Sequence, residues 1–305
     1  MAVYFMYMKT FGRGNGSTAT SASAYRAGER IRDERTGRVF DHSDRQDVMH
    51  KEIVLPSKWA DADMSWALDR ANLWNSVEAA ETRSNARVAR EFLVALPAEL
   101  TRDQQLELTR GFSRELADRH GFGVDFAVHA PRDDPRNFHA HLLATTREIN
   151  SSGFGAKTAL EVRDSERAER GLEPFFREVT YTRERWAVLT NAALERANVA
   201  ARVDHRSLSE QGIQREPQPR LPRAVFEMER RGQYTVVGER IRQEYLQRVA
   251  VRPERTRGVD LEEVRWQARE EWLRMRKGDT AARDGAPARD NVPATEKFFD
   301  DDLSL

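Results

Sequence analysis

The sequence predicts an α+β fold, a mainly antiparallel central sheet with helices packed on one face of it, followed by a charged helical extension. Three observations carry that expectation. Segments 2–8, 92–96, 124–129 and 139–146 alternate or run apolar as strands do. The stretches between them repeat apolar residues at helical spacing, and strands interleaved with helices in this way make a sheet-and-helix layer. After about residue 215 the character changes to highly charged sequence with helical spacing alone.

Taken in order, residues 2–8 read as a strand. The loop Thr10-Phe-Gly-Arg-Gly-Asn-Gly-Ser17 follows, and Ser17 or Thr18 caps a helix through Ala19, Ala22, Tyr25 and Ile31. Residues 37–41 and 48–54, either side of a polar turn, suggest a short hairpin. A helix is expected from Met64 to about Ala86, with Trp66, Leu68, Leu73, Trp74 and Val77 on its apolar side. Phe92–Leu96 is a strand ending at Pro97, and Thr101 opens a helix reaching Arg119. The strands 124–129 and 139–146 come next, then a glycine-rich stretch at 152–156 and helices near 158–169 and 181–198. A linker, Gln214-Arg-Glu-Pro-Gln-Pro-Arg-Leu-Pro222, introduces the extension. The expected organisation is therefore a main domain over 1–215, a charged helical extension over 216–277 and a disordered tail over 278–305.

Composition narrows the function classes. The chain has 305 residues, 39% hydrophobic and 33% charged, with 50 basic and 50 acidic side chains. No run approaches the ~18 apolar residues of a membrane span, so no membrane partner is expected. The first residues lack the basic region and cleavage site of a secretory signal, and the expected compartment is cytoplasmic. Zero cysteines exclude disulfides, thiolate metal sites and cysteine nucleophiles. Charge balance argues against bulk electrostatic attraction to nucleic acid. Arginine greatly outnumbers lysine, which suits bidentate phosphate contacts but equally reflects the codon usage of a GC-rich genome.

Chemistry is concentrated in Phe138-His-Ala-His-Leu-Leu-Ala144. Residues two apart on a strand share a face, so His139 and His141 project together. If Val124–His129 pairs with this strand, His129 joins them, and three neutral imidazoles make a divalent-metal site. A lone His-x-His also occurs in cupin barrels and amidohydrolases, so the pair alone does not decide. Such a centre needs a nucleophile: a metal-bound water, a carboxylate-activated water, or a side chain. Tyr25, on the small-residue helix Ala19-Thr-Ser-Ala-Ser-Ala-Tyr25-Arg-Ala-Gly28, is a candidate; packing its ring on the sheet is the alternative.

Together these pieces resemble the MobA/MobL family of plasmid-mobilisation relaxases, within the HUH endonuclease superfamily. The resemblance covers about residues 1–215. It rests on Gly14-Asn-Gly-Ser17 through Ser23-Ala-Tyr25-Arg-Ala-Gly-Glu29, on Leu73-Trp-Asn75 with Glu78 and Glu81, and on Ala89-Arg-Glu91 leading into Val94-Ala-Leu-Pro97. It continues in Val128-His129, Asn137-Phe-His-Ala-His-Leu142, and Val203-Asp-His-Arg-Ser-Leu208. Phe138 departs from the proline often found before the first histidine.

The resemblance implies that Tyr25 is the nucleophile and that His129, His139 and His141 hold a divalent metal, magnesium or manganese. Glu91 would orient a histidine or receive the tyrosine proton; an exposed strand-end carboxylate is the alternative. The implied activity is nicking of single-stranded DNA at a transfer origin through a 5′-phosphotyrosyl link, and its rejoining. The implied partners are that single strand with its hairpin, relaxosome accessory proteins and a secretion coupling protein. Arg26 and Lys157 are the preferred DNA contacts. A replication initiator or transposase of the same superfamily, a non-catalytic DNA-binding accessory protein with a structural metal, and a hydrolase acting through water are the competing readings.

Overall fold

A computed structural model describes residues 2–131, 136–213, 215–216, 219 and 221–250. The chain divides into two compact units, Met1–His205 and Arg206–Leu305. The first contains strand β1 (Met6–Gly12), helix α1 (Ala19–Ala27), β2 (Arg30–Arg32), β3 (Val39–Asp41), β4 (Val48–Val54), α2 (Ser65–Leu68) and α3 (Arg70–Ala80). It continues with β5 (Arg87–Ala95), α4 (Arg102–His120), β6 (Val124–His129), β7 (His139–Thr145), β8 (Arg147–Asn150), β9 (Gly153–Lys157), α5 (Asp164–Glu169) and α6 (Phe175–Arg196). In the second, α7 (Arg223–Arg230) and α8 (Val236–Ala250) are described. The expected tail at 278–305 and the extension beyond 250 lie outside the described residues.

The central sheet has five strands in the order β1-β5-β7-β6-β4, with every neighbouring pair antiparallel. Strand β5 starts at Arg87, earlier than expected, because it lies between β1 and β7 and is paired along both edges. The expected hairpin of 37–41 with 48–54 does not form. β3 pairs instead with β2, and β4 becomes an outer strand of the main sheet against β6. The N-terminal strand is shifted to Met6–Gly12, so part of the glycine loop is ladder, ending in an irregularity at Phe11/Gly12. The glycine-rich stretch supplies β9, which folds back on β8 as a small hairpin.

Both faces of the sheet are covered, where helices were expected on one. On one face Phe92, Val94, Leu142, Phe126 and Val128 pack with Leu108, Phe112 and Leu116 of α4 and Trp186 of α6. On the other, Ala89 and Leu143 pack with Ala19 and Ala22 of α1 and with Leu73, Trp74 and Val77 of α3. Alternation along the strands puts the histidines on this second face. Helix α4 opens on the expected Thr101, whose side chain forms a reciprocal capping box with Gln104, and closes at Gly121 in the left-handed conformation. The expected helix over 64–86 is two helices, because Asp69 leaves helical geometry and caps α3 by accepting from Asn72 N. Residues 158–169 hold only a 3-10 turn and the short α5, while α6 begins early, at Phe175.

A buried polar knot fixes α1 and α3 to the sheet. Asp125 of β6 accepts from Arg70 at 2.9 Å, from Trp74 Nε1 at 2.8 Å and from Ser23 Oγ at 2.9 Å. Replacing Asp125 with alanine leaves a buried indole N–H and a buried hydroxyl without their acceptor and leaves Arg70 with Glu29 alone, and losing one partner of a buried ion pair costs about 3–5 kcal/mol. Denaturant unfolding of Asp125→Ala is expected to show a loss of that size, and a loss under 1 kcal/mol would contradict the anchoring role.

Candidate active site

The pairing of β6 with β7 brings the three histidines together. His129 lies opposite His139, and His141 lies opposite Ala127, so all three project from one face. Their ring centroids are 4.7 Å (His129–His141), 5.2 Å (His139–His141) and 5.3 Å (His129–His139) apart. One nitrogen from each ring falls within 4.8 Å of the other two. All three side chains are buried.

Each ring has one nitrogen already engaged by an oxygen. His141 Nδ1 donates to Glu91 Oε1 at 2.8 Å, His139 Nδ1 to the Asn137 carbonyl at 3.1 Å, and His129 Nε2 to the Arg26 carbonyl at 2.8 Å. An imidazole whose N–H is held by an acceptor presents its other nitrogen as a lone pair. His129 Nδ1 is buried with no hydrogen-bond partner, Asp47 Oδ2 being 3.9 Å away. Burial, reinforced by the neighbouring imidazoles, pushes His129 down to about 2. Burial pushes His141 down to about 3 in spite of the adjacent Glu91 carboxylate. These two rings are therefore neutral at ordinary pH, as metal ligation requires. The donor set fits a divalent transition ion; three imidazoles suit manganese better than magnesium, which prefers oxygen.

Glu91 is fully buried in the middle of β5, so the strand-end alternative does not hold. Its carboxylate receives Arg26 through Nε and, at 3.1 Å, through Nη2, and Lys9 Nζ sits 3.1 Å from Oε2. Burial acts to raise its pKa, but Arg26 and His141 outweigh that and hold it well below the usual carboxylate range. A carboxylate so stabilised as an anion is a weak proton acceptor and a firm anchor for His141.

Tyr25 lies half-buried on α1, one residue before the carbonyl that engages His129. The Arg45 guanidinium sits over its ring, 4.2 Å from the centroid, and the His42 ring packs nearly perpendicular to it with centroids 5.2 Å apart. Three carbonyls in the last turn of α1 receive side-chain donors: Arg45 on Tyr25 at 3.0 Å, His129 on Arg26, and Lys51 on Ala27 at 3.0 Å.

The two residues expected to touch DNA are otherwise engaged. Arg26 is buried, with Glu91 and the Ala22 carbonyl taking its donors. Lys157 Nζ contacts Glu81 at 2.8 Å, Thr146 Oγ1 at 2.8 Å and the Arg87 carbonyl at 3.1 Å, which matches the three donors of an ammonium. Both are cross-links within the fold. Sequence reasoning missed Arg45, Asp47 and Asp125. An acidic residue inside the apolar strand 124–129 was a usable signal for Asp125, whereas Arg45 and Asp47 sit in a polar turn with no period to mark them.

A MobA/MobL family model matches residues 17–231. The chain belongs to the MobA/MobL family. It is 38% identical over 254 residues to Mobilization protein MobL of Acidithiobacillus ferridurans, an alignment covering 76% of this chain and 65% of the relative. The Probable conjugal transfer protein TraA of Sinorhizobium fredii is 33% identical over 71% of this chain, which spans 21% of that protein. A solved structure from work on vancomycin resistance transfer in Staphylococcus aureus superposes with TM-score 0.56 at 32% identity, covering 68% of this chain and 100% of that one. The chain thus spans under two thirds of the length of these two curated relatives. Among the described residues no helix is long and apolar enough to cross a membrane.

Two outcomes follow from the geometry. Glu91→Gln keeps the shape but not the charge behind His141, and its affinity for Mn²⁺ by titration calorimetry should fall 10–100-fold, as for other changes behind a ligating histidine. In metal-stripped protein, His129 and His141 bind fewer protons folded than unfolded. Stability is therefore complete above the ordinary histidine value of ~6.5 and falls as pH drops below it, by up to about 1.4 kcal/mol per pH unit for each ring. His120, which burial pushes down to about 4, adds in the same direction. Unfolding curves between pH 7 and pH 4.5 that show no slope would contradict neutral buried rings.

Proposed function

We propose that this MobA/MobL chain is a DNA relaxase that cuts one strand at a plasmid transfer origin by tyrosine transesterification and rejoins it. One observation carries the reading: three buried imidazoles with lone pairs facing a common point, tied through the Arg26 carbonyl to the helix that bears Tyr25. The histidines would hold the divalent metal, magnesium or manganese. When bound, it supplies positive charge against the non-bridging oxygens of a phosphodiester.

The chain's own residues supply the rest. Tyr25 Oη attacks phosphorus in line, forming the Oη–P bond as the bond from phosphorus to the 3′ oxygen breaks. The phenol gives up a proton and the departing 3′ oxygen takes one up. One phosphodiester replaces another, so the freed 3′-hydroxyl reverses the step and reseals the strand. Family membership favours mobilisation over replication initiation or transposition. The substrate would be the single strand and hairpin of the origin, with relaxosome accessory proteins and a secretion coupling protein as the wider partners.

The test begins with a pool of random-sequence single-stranded oligonucleotides and Mn²⁺. Oligonucleotides that stay attached to the chain after denaturation are sequenced, and peptide mass spectrometry locates the link. Attachment at Tyr25, its loss in Tyr25→Phe with DNA binding within about threefold, and its loss on chelation are expected. An adduct that survives Tyr25→Phe identifies another nucleophile. Cleavage without any adduct identifies a water-using hydrolase.

A further inference from the structure

The turn between β3 and β4 reaches the last turn of the helix that bears Tyr25. We propose that Arg45 is a positioning residue for the Tyr25 phenol, locking its ring in the orientation used for attack; this rests on the reading of Tyr25 as nucleophile. The guanidinium makes contacts in three directions. Its face covers the Tyr25 ring, 4.2 Å from the centroid. Its Nη1 donates to the Tyr25 carbonyl at 3.0 Å, so backbone and ring of one residue are held by one side chain. Its Nε and Nη2 form a fork on Asp47, with the Nε contact at 2.9 Å.

Asp47 in turn is fastened to the metal centre. Its carbonyl accepts from Ala130 N, the residue after His129, at 2.7 Å, and its carboxylate stands 3.9 Å from His129 Nδ1. Arg45 and Asp47 side chains are only 8% and 10% exposed, so the fork is shielded from water that would loosen a surface pair. The close approach depends on Gly28, in the left-handed conformation at φ +57°. A Cβ there would meet Val48 Cγ2 at 3.0 Å and Arg45 Cβ at 3.5 Å. The His42 ring stands nearly perpendicular to the Tyr25 ring, with centroids 5.2 Å apart.

The physical consequence is preorganisation. A tyrosine has two side-chain torsions, and an attacking oxygen misplaced by about 1 Å can cost on the order of 100-fold in rate. With one face under Arg45 and the His42 ring packed perpendicular to it, the ring holds one orientation before substrate arrives. The cation over the ring face also favours the negative charge that builds on the phenol oxygen during attack. Because Arg45 is held by Asp47, and Asp47 by the end of β6, the phenol is indexed to the histidines rather than merely to its own helix.

The experiment compares the full chain with Arg45→Met and Arg45→Lys, using an oligonucleotide selected by covalent retention on the wild type. Single-turnover adduct formation at saturating oligonucleotide is expected to slow at least 30-fold in Arg45→Met, with the half-saturating concentration within twofold. Arg45→Lys, which keeps a cation near the ring but not the fork, should recover to within about tenfold of wild type. Chains carrying 3-fluorotyrosine supply an independent readout: the Tyr25 fluorine resonance, assigned by Tyr25→Phe, should shift and broaden in Arg45→Met. An unchanged resonance overturns the clamp whether or not DNA is cut. A shifted resonance with an unchanged rate overturns its role in positioning. A loss that appears only in half-saturation assigns Arg45 to substrate binding and also overturns the proposal. If the wild type retains no oligonucleotide, the nicking reading fails, while the fluorine signal still reports separately on the clamp.

Discussion

The candidate centre depends on one buried carboxylate. Glu91 is the anion around which Arg26, Lys9 and His141 are arranged, and those three come from α1, β1 and β7. Without it, the buried Arg26 guanidinium would lose its carboxylate on this sheet face, a cost of several kcal/mol. With it, the Arg26 side chain pulls α1 against the sheet while the Arg26 backbone carbonyl receives His129. One residue thus joins the helix of Tyr25 to two of the three histidines, through its side chain to one and its backbone to the other.

Around that anchor, several residues that mark the family in sequence turn out to be braces. Trp74 and Ser23 converge on Asp125. Asn75 accepts from Glu34 N at 2.9 Å and donates to the carbonyls of Arg32 and Ala71. Glu78 receives Ala19 N at 2.6 Å together with Arg13 and Arg35, capping the start of α1. Glu81 takes Arg147 and Lys157. None of these touches the histidines. Their common effect is to remove freedom from α1 and α3, so that the residues which would meet substrate sit on a stiff support.

Much of this was legible from local pattern. The period of two in Val124–His129 and His139–Thr145 placed three histidines on one face, and Thr101 announced the start of α4 in the sequence itself. Local pattern failed where partner choice is a tertiary matter. Residues 48–54 look the same whether they pair with 37–41 or with β6, and only the open edge of β6 decides. Asp69 breaks a helix that apolar spacing would carry through, because its side chain caps the next one. Arg26 and Lys157 looked like phosphate contacts since a sequence shows a charge but not its counter-ion. Arg45 and Asp47 carried no visible signal, since a turn residue acquires meaning only from what it reaches.

The termination of α1 has a consequence for a polyanionic substrate. A helix C-terminus carries roughly half a negative charge in its exposed carbonyls, a poor neighbour for phosphate. Here Arg45, His129 and Lys51 donate to the carbonyls of Tyr25, Arg26 and Ala27, and two of those donors are cationic. The macrodipole is thereby quenched at the end of α1, so that under the proposed function the small helix could present Tyr25 without repelling a phosphodiester.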